Sequence, residues 1–240
     1  MATHDLSLSR REEVAEGTMS FYFDKPSGFH FKPGQYLDCT LVDPPETDSE
    51  GDIRSFSLAS SPDENHLMFA TRMRDSAFKR VLKKMPVGAH LKVEGPLGSF
   101  TLHNSTSRPA VFLAGGIGIT PFRSMLVSAA LKKSTHRIVL FYSNPRPEDS
   151  AFLEEIQQIG AKHRNYRIVC AMTKMEKSKR KWNGETGSID KAMLARFIPD
   201  LSAPIYYVAG PPAMVAAMKK TLAAAGVKDD DVRSEDFAGY

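Results

Sequence analysis

The sequence predicts two domains, an antiparallel β-barrel over residues 1–106 followed by an α/β domain with a parallel sheet over residues 107–240. Three observations predict this. From Leu6 to about Leu102 the chain is a series of short apolar or alternating runs broken by Gly, Pro and Asp, the pattern of many short antiparallel strands. Beyond the polar stretch HNSTSRP, apolar strands alternate with longer helical patterns, as in a parallel sheet with crossover helices. Where the rhythms meet, AVFLAGGIGITPFRSML, Ala110 to Leu126, couples a continuous apolar run to a glycine turn and a helix start.

In the first half TMSFYFDKP, GQYLDCTLVDPP, IRSFSLASSP, HLMFATRM, AHLKVEGP and GSFTL read as strands, and Gly95 to Phe100 as a tight turn between two of them. One helix interrupts them, SAFKRVLKKM, whose Phe78, Val81, Leu82 and Met85 share a face. The polar linker places the domain boundary near Ser107. After it RIVLFY, YRIVCAM and IYYVAG read as strands, and EDSAFLEEIQQIGAKH, DKAMLARFIP and PAMVAAMKKTLAAAG as helices. The basic segment TKMEKSKRKWNGETG reads as a mobile loop at the edge where open α/β sheets bind ligands, or equally as a solvated charge run.

With 42% hydrophobic and 25% charged residues, the 240-residue chain has the composition of a soluble globular protein rather than a disordered one. No apolar run approaches the roughly 18 to 20 residues that span a membrane, and MATHDLSLSRREEV lacks the apolar core of a signal peptide. A cytoplasmic location with no membrane partner is expected. Cys39 and Cys170 are far apart in sequence, so no cluster-ligand or metal spacing exists and no metal is expected. The net charge of +4 permits an acidic partner, but cations interleaved with acids argue against nucleic acid.

Val111 to Ala114 followed by Gly115, Gly116, Gly118 and Pro121 is the sequence of a phosphate cradle: glycines admit an anion to the backbone, and the free N–H groups of the helix start face it. The spacing is not GxGxxG, and such turns also occur where nothing binds. Arg54-Ser55-Phe56-Ser57 sets a guanidinium, a flat ring and a hydroxyl in one strand, a set suited to a flavin nucleotide and also to an exposed edge. Ser76 is a candidate N-cap, which gives a second helix start able to hold phosphate or simply a capped helix.

Taken in order, RSFS, RMRDSAF, GPLGSF, GGIGITP, AGPPAM and EDFAGY resemble the ferredoxin-NADP reductase family of flavoenzymes, which includes cytochrome b5 reductases and oxygenase reductase components. The resemblance covers nearly the whole chain. It implies that the barrel binds FAD, that the parallel sheet binds NAD(P), and that the flavin lies between them. Arg54 then pairs with the FAD pyrophosphate, Ser57 contacts flavin N5, Ser55 between them is a cofactor-binding candidate, and Phe56 stands where the family more often has tyrosine. Arg72, Met73 and Arg74 fall on the strand lining the flavin, and Ser76, Ala77 and Phe78 match the turn that holds the FAD phosphates. Gly116, Gly118, Thr120 and Pro121 match the nicotinamide-nucleotide cradle, with Thr120 beside the flavin. Gly210, Pro211 and Met214 belong to a motif that commonly reads Cys-Gly-Pro, where this chain has Ala209. Glu235 is implied as a charge near the hydride path and Phe237 as the aromatic that stacks on the flavin and yields to nicotinamide. Tyr240 lies in an extension that reaches the cofactor or frays.

The first acid after RIVLFY is Glu148, and Ser143, Arg146 and Lys174 are placed to embrace a 2'-phosphate, which favours NADP(H) over NAD(H), with Asn144 a further cofactor-binding candidate beside them. The expected function is hydride transfer from NADPH to FAD, with Ser57, Glu235 and Phe237 at the chemistry, then electron release to a carrier such as ferredoxin or flavodoxin or to an oxygenase component. Lys79, Arg80, Lys83 and Lys84 offer such an acidic partner a basic surface, or form a solvated helix face. Reduction of free flavin, quinone or haem, and a redox-sensing or electron-transfer subunit without free turnover, are the alternatives.

Overall fold

The protein is described here by a computed structural model covering residues 3–237. Seven residues of β2 (Thr18–Asp24) and seven of β5 (His66–Arg72) show how the first domain forms: Phe21, Phe23, Leu67 and Phe69 are apolar and buried. They join β1 (Thr3–Ala15), β3 (Tyr36–Leu41), β4 (Ile53–Ser57) and β6 (His90–Leu97) in one antiparallel sheet of order β4-β3-β6-β1-β2-β5. The sheet curls until its two edges meet, so that the Phe56 ring of β4 stacks on Phe69 of β5 at a centroid distance of 4.3 Å. Curling brings the two edge strands together by side-chain packing and wraps the barrel around an apolar core. Helix α1 (Ala77–Lys84) plugs it with Phe78 and Leu82, and the Ser76 hydroxyl accepts the Lys79 N–H at 3.3 Å as the N-cap.

The second domain is a parallel sheet of order β10-β9-β8-β7-β11-β12. Its centre is β7 (Ala110–Gly115), where all six residues are buried, as a strand covered on both faces must be. Around it lie β8 (Ile138–Asn144), β9 (Tyr166–Met172), β10 (Glu185–Thr186), β11 (Ile205–Gly210) and β12 (Val232–Asp236). Helices α2 (Ile119–Leu131), α3 (Leu153–Lys162), α4 (Lys191–Phe197) and α5 (Pro212–Ala224) supply the covering layers.

Helix α2 also joins the domains. Ten of its thirteen residues are buried, because the parallel sheet lies on one side and the barrel on the other. Arg123 donates to the barrel carbonyl of Ala59 at 2.7 Å and to Glu64 at 3.1 Å, and reaches back to Glu155 of α3 at 2.6 Å. Ser124 donates to the Ser60 carbonyl at 2.6 Å, and Ser128 to Asp63 at 2.9 Å. One seam of polar contacts thus fixes the barrel against the helix that leaves the glycine turn.

Two expectations need correction. Gly95 to Leu97 continue β6 instead of forming a turn; a register shift opposite Tyr36 and Asp38 accommodates Pro96, which has no N–H to give the ladder. Residues 98–109 then run irregularly to β7, so GSFTL is not a strand. The polar linker carries contacts of its own: Arg108 binds Asp231 at 2.7 Å, and Tyr207 accepts the His103 N–H at 2.8 Å. Most of residues 173–187 are exposed, and they make tertiary contacts as well. The Glu148 carboxylate accepts from the Ser178 hydroxyl and from the Lys179 N–H at 2.8 Å, and Trp182 donates to the Glu185 carbonyl at 2.9 Å.

Candidate functional site

Two clefts open where the barrel faces the ends of the parallel strands. The wider, about 800 Å³, is walled by β4 (Arg54, Ser55, Phe56, Ser57), by the start of α1 (Ser76, Lys79), by Arg74 and Thr71, and by Thr120 and the β12 end, Glu235 to Phe237. The narrower, about 240 Å³, is lined by Arg72, Arg74, Gly115, Gly116, Ser143, Asn144, Pro145, Thr173, Pro211 and Met214. Arg74 lines both clefts. The single turn after β7 does the same, with Gly116 in the narrower cleft and Thr120 in the wider.

Strand pairing sets the meeting of Ser57 and Glu235. Ser57 ends β4 opposite Tyr36, and Glu235 lies beside Ala209 in the β11–β12 pair, so the ends of two sheets point into one space. Burial pushes the Glu235 carboxyl up to about 7, while the Ser57 hydroxyl beside it favours the charged form. Its Oε2 is buried with no hydrogen-bond partner among the described residues. Phe237 lies two residues on, anchored by its N–H to the Gly210 carbonyl at 3.0 Å. The Thr120 hydroxyl donates to the Ile117 carbonyl at 3.0 Å and stiffens the turn.

The glycines divide into two roles. Gly116, at φ 55°, faces the narrower cleft with the Arg72 guanidinium 3.7 Å from where a Cβ would stand. Gly118 and Gly210 serve packing instead: a Cβ on Gly118 would come within 2.2 Å of the Ala209 carbonyl, and one on Gly210 within 2.8 Å of the Gly115 carbonyl. Asn144, at the end of β8, is 2% exposed and both its amide atoms lack partners among the described residues, leaving an unsatisfied polar group at the narrower cleft.

Several expected site residues lie elsewhere. Arg72 lines the narrower cleft, not the wider one where the strand alone would put it. Met73 packs on the barrel core, the side chains of Ala77 and Phe78 are buried so that only the backbone N–H groups of the α1 start are left to face a ligand, and Pro121 is buried in α2. Arg146 and Lys174 line neither cleft. The Arg146 guanidinium is instead gripped by Asp149 at 2.8 Å and Glu16 at 2.9 Å. On the helix surface Arg80 is likewise taken by Glu46 and Asp75, so the basic face of α1 is partly neutralised, and Lys79 turns into the wider cleft. Tyr240 lies outside the described residues. Tyr36, Thr71 and Lys79 were missed as lining residues, because only the folded sheet shows which side chains flank RSFS.

The wider cleft fits a flavin nucleotide. It offers a guanidinium and a helix start for phosphates, apolar faces for a ring, and a hydroxyl and a buried carboxyl with one oxygen unpartnered among the described residues for a polar edge. The narrower cleft, with two arginines, a glycine turn and an unsatisfied amide, fits a second phosphate-bearing nucleotide. An antiparallel barrel and a parallel sheet sharing two such clefts define a two-nucleotide oxidoreductase.

Comparison with known proteins agrees. Residues 5–102 match the model of the oxidoreductase FAD-binding domain and residues 112–220 that of the oxidoreductase NAD-binding domain. The chain is 28% identical over 223 residues to the glycine betaine monooxygenase reductase subunit of Chromohalobacter salexigens, covering 92% of this chain and 60% of that one. Its fold matches the flavohem-like FAD/NAD binding domain of nitric oxide dioxygenase from Vibrio cholerae, with TM-score 0.82, 19% identity and 97% and 98% of the two chains covered. It also matches a ferredoxin NADP+ reductase from Neisseria gonorrhoeae with bound FAD and NADP, with TM-score 0.79, 17% identity and 98% of each chain covered. The chain belongs to the ferredoxin-NADP reductase family, as an oxidoreductase that binds FAD and a nicotinamide nucleotide. It spans about 60% of the length of the curated relatives it matches. Among the described residues no helix is long and apolar enough to cross a membrane.

Proposed function

We propose that the protein takes hydride from NADPH, bound in the narrower cleft, onto FAD, bound in the wider one, and passes electrons to a separate one-electron carrier. One observation carries this reading: Arg74 and the turn from Gly116 to Thr120 wall both clefts, so two nucleotides held there share a boundary and their rings can meet. Bound FAD supplies an acceptor that takes two electrons together and releases them singly.

The chain's own share is positioning and proton control. Arg54 and the start of α1 anchor phosphates at one end of the wider cleft, and Ser57 presents a hydroxyl at the other. Phe237 covers the cleft and gives way to the nicotinamide. Glu235 Oε2, in a carboxyl that titrates near neutral pH, holds or yields a proton beside the ring, away from bulk water. On the nucleotide side Arg72 and Arg74 face phosphates, while Ser143 and Asn144 present a hydroxyl and an amide. Ala209 means that no thiol takes part at the position where the family commonly has cysteine.

The preference for NADPH rests on Ser143 and on the exposed Lys174, joined by Arg146 once a 2'-phosphate replaces Asp149 and Glu16 as its partner. The carrier is a ferredoxin, a flavodoxin or an oxygenase component, in keeping with the monooxygenase reductase subunit among the relatives. We place the domain boundary near Ser107 and the protein in the cytoplasm. The test is to identify the flavin released by heating and to compare NADPH- and NADH-driven reduction of a purified ferredoxin. Release of FAD with faster NADPH turnover supports the reading. Absence of flavin, or equal use of both nucleotides, contradicts its cofactor assignments.

A further inference from the structure

The segment between β3 and β4, residues 42–52, reads VDPPETDSEGD, with five carboxylates and no cation. Its acids grip the anion donors of the wider cleft. Asp48 Oδ2 accepts the Ala77 N–H, at the start of α1, at 2.7 Å, and its Oδ1 lies 3.7 Å from the Arg54 guanidinium. Glu50 Oε2 accepts from Arg54 Nη2 at 2.7 Å, while Arg54 Nη1 donates to the carbonyls of Ile53 at 2.7 Å and Glu50 at 2.9 Å. Glu46, in the same segment, holds Arg80 at 2.7 Å and bonds neither of these donors.

An N–H pointed at a carboxylate is not free for a phosphate, and two anions a few ångströms apart repel unless a cation stands between them. A pyrophosphate anchored by Arg54 and the start of α1 must therefore draw these donors away from Asp48 and Glu50. A flavin without phosphate needs neither donor.

We propose that Asp48 and Glu50 set the flavin specificity of the wider cleft, competing with the phosphates of a flavin nucleotide for the Ala77 N–H and the Arg54 guanidinium and so narrowing its preference for FAD over riboflavin. The proposal rests on the flavin reading of that cleft. It differs from a purely structural role for the loop, because capping α1 affects every flavin alike.

The experiment uses the full chain freed of flavin by dialysis, titrated with FAD and with riboflavin and followed by flavin fluorescence. The variants are Asp48→Asn and Glu50→Gln, each alone and together, and Glu46→Gln as a single loss of charge in the same segment that touches neither donor. Asn and Gln keep the hydrogen bonds without the charge, and circular dichroism checks that the fold is retained. The double variant is expected to bind FAD about tenfold more tightly, as for exchange of a charge-assisted for a neutral competing bond at each donor, with riboflavin and Glu46→Gln within about twofold of the unaltered chain. FAD affinity that is unchanged or weaker, or a parallel gain for riboflavin or for Glu46→Gln, overturns the proposal. Failure of the unaltered chain to bind FAD at all removes the flavin reading itself, a result distinct from those outcomes.

Discussion

The Ser57 hydroxyl, at the end of a barrel strand, meets the Glu235 carboxyl, at the end of the last strand of the parallel sheet, in the cleft between the domains. Each steadies what the other does. The hydroxyl favours the carboxylate, burial favours the acid, and the balance leaves the group titrating at about 7. Removing the hydroxyl tips the balance. Ser57→Ala is expected to move the Glu235-dependent limb of the pH–rate profile to higher pH; a limb that stays in place contradicts the pairing.

Glu235 also couples pH to stability. Its carboxyl binds a proton more tightly folded than unfolded, so the folded state gains as pH falls. Stability is therefore lost as pH rises from the ordinary carboxylate value of 4.5 to about 7, and is flat beyond. The shift corresponds to a swing of roughly 3 kcal/mol. Glu235→Gln is expected to remove that slope, measured as urea midpoints between pH 4.5 and 8. A slope that persists in the variant assigns the titration to another group.

Arg123 spans the domain seam with its side chain only 8% exposed, and its cation holds the Glu64 carboxyl below the usual range against the opposing effect of burial. Arg123→Met leaves the Glu64 carboxylate with the Ser61 N–H but no cation bridging the seam, at an expected cost of about 2–3 kcal/mol. The Glu64 contribution is present above its ordinary value and lost as pH falls through the lowered one, so the variant's deficit narrows in acid. An unchanged urea midpoint at pH 7 contradicts a stabilising seam.

Much of this architecture is legible in the sequence. AVFLAG is apolar without interruption because both faces are covered, and SAFKRVLKKM shows a helical stripe because one face plugs the barrel. The first strand escapes because Arg10, Arg11, Glu12 and Glu13 face solvent and blur the alternation. Glu235 and Phe237 are legible only through the resemblance of EDFAGY: nothing in the five residues of β12 announces a strand that pairs at the sheet edge. The partners of Arg146 stay hidden for a different reason, since Glu16 lies 130 residues away and only the fold brings it near.

Arg146 offers a test of nucleotide choice. Arg146→Ala is expected to raise the KM for NADPH about tenfold, the loss of one charge-assisted bond, while that for NADH stays within about twofold. Equal effects on both nucleotides assign the residue to its ion pairs with Asp149 and Glu16 alone.

Phe237→Ala uncovers the wider cleft at the place proposed for nicotinamide. Tighter NADPH binding, or a relaxed preference against NADH, is expected in steady-state kinetics. Kinetics identical to the unaltered chain contradict the covering role.

The central claim is that one chain brings a nicotinamide and a flavin together across the turn from Gly116 to Thr120. Anaerobic mixing of the FAD-loaded protein with NADPH in a stopped-flow spectrometer tests it most directly. Bleaching of the yellow flavin band within seconds is the result expected; a band that persists with NADPH and with NADH contradicts the account.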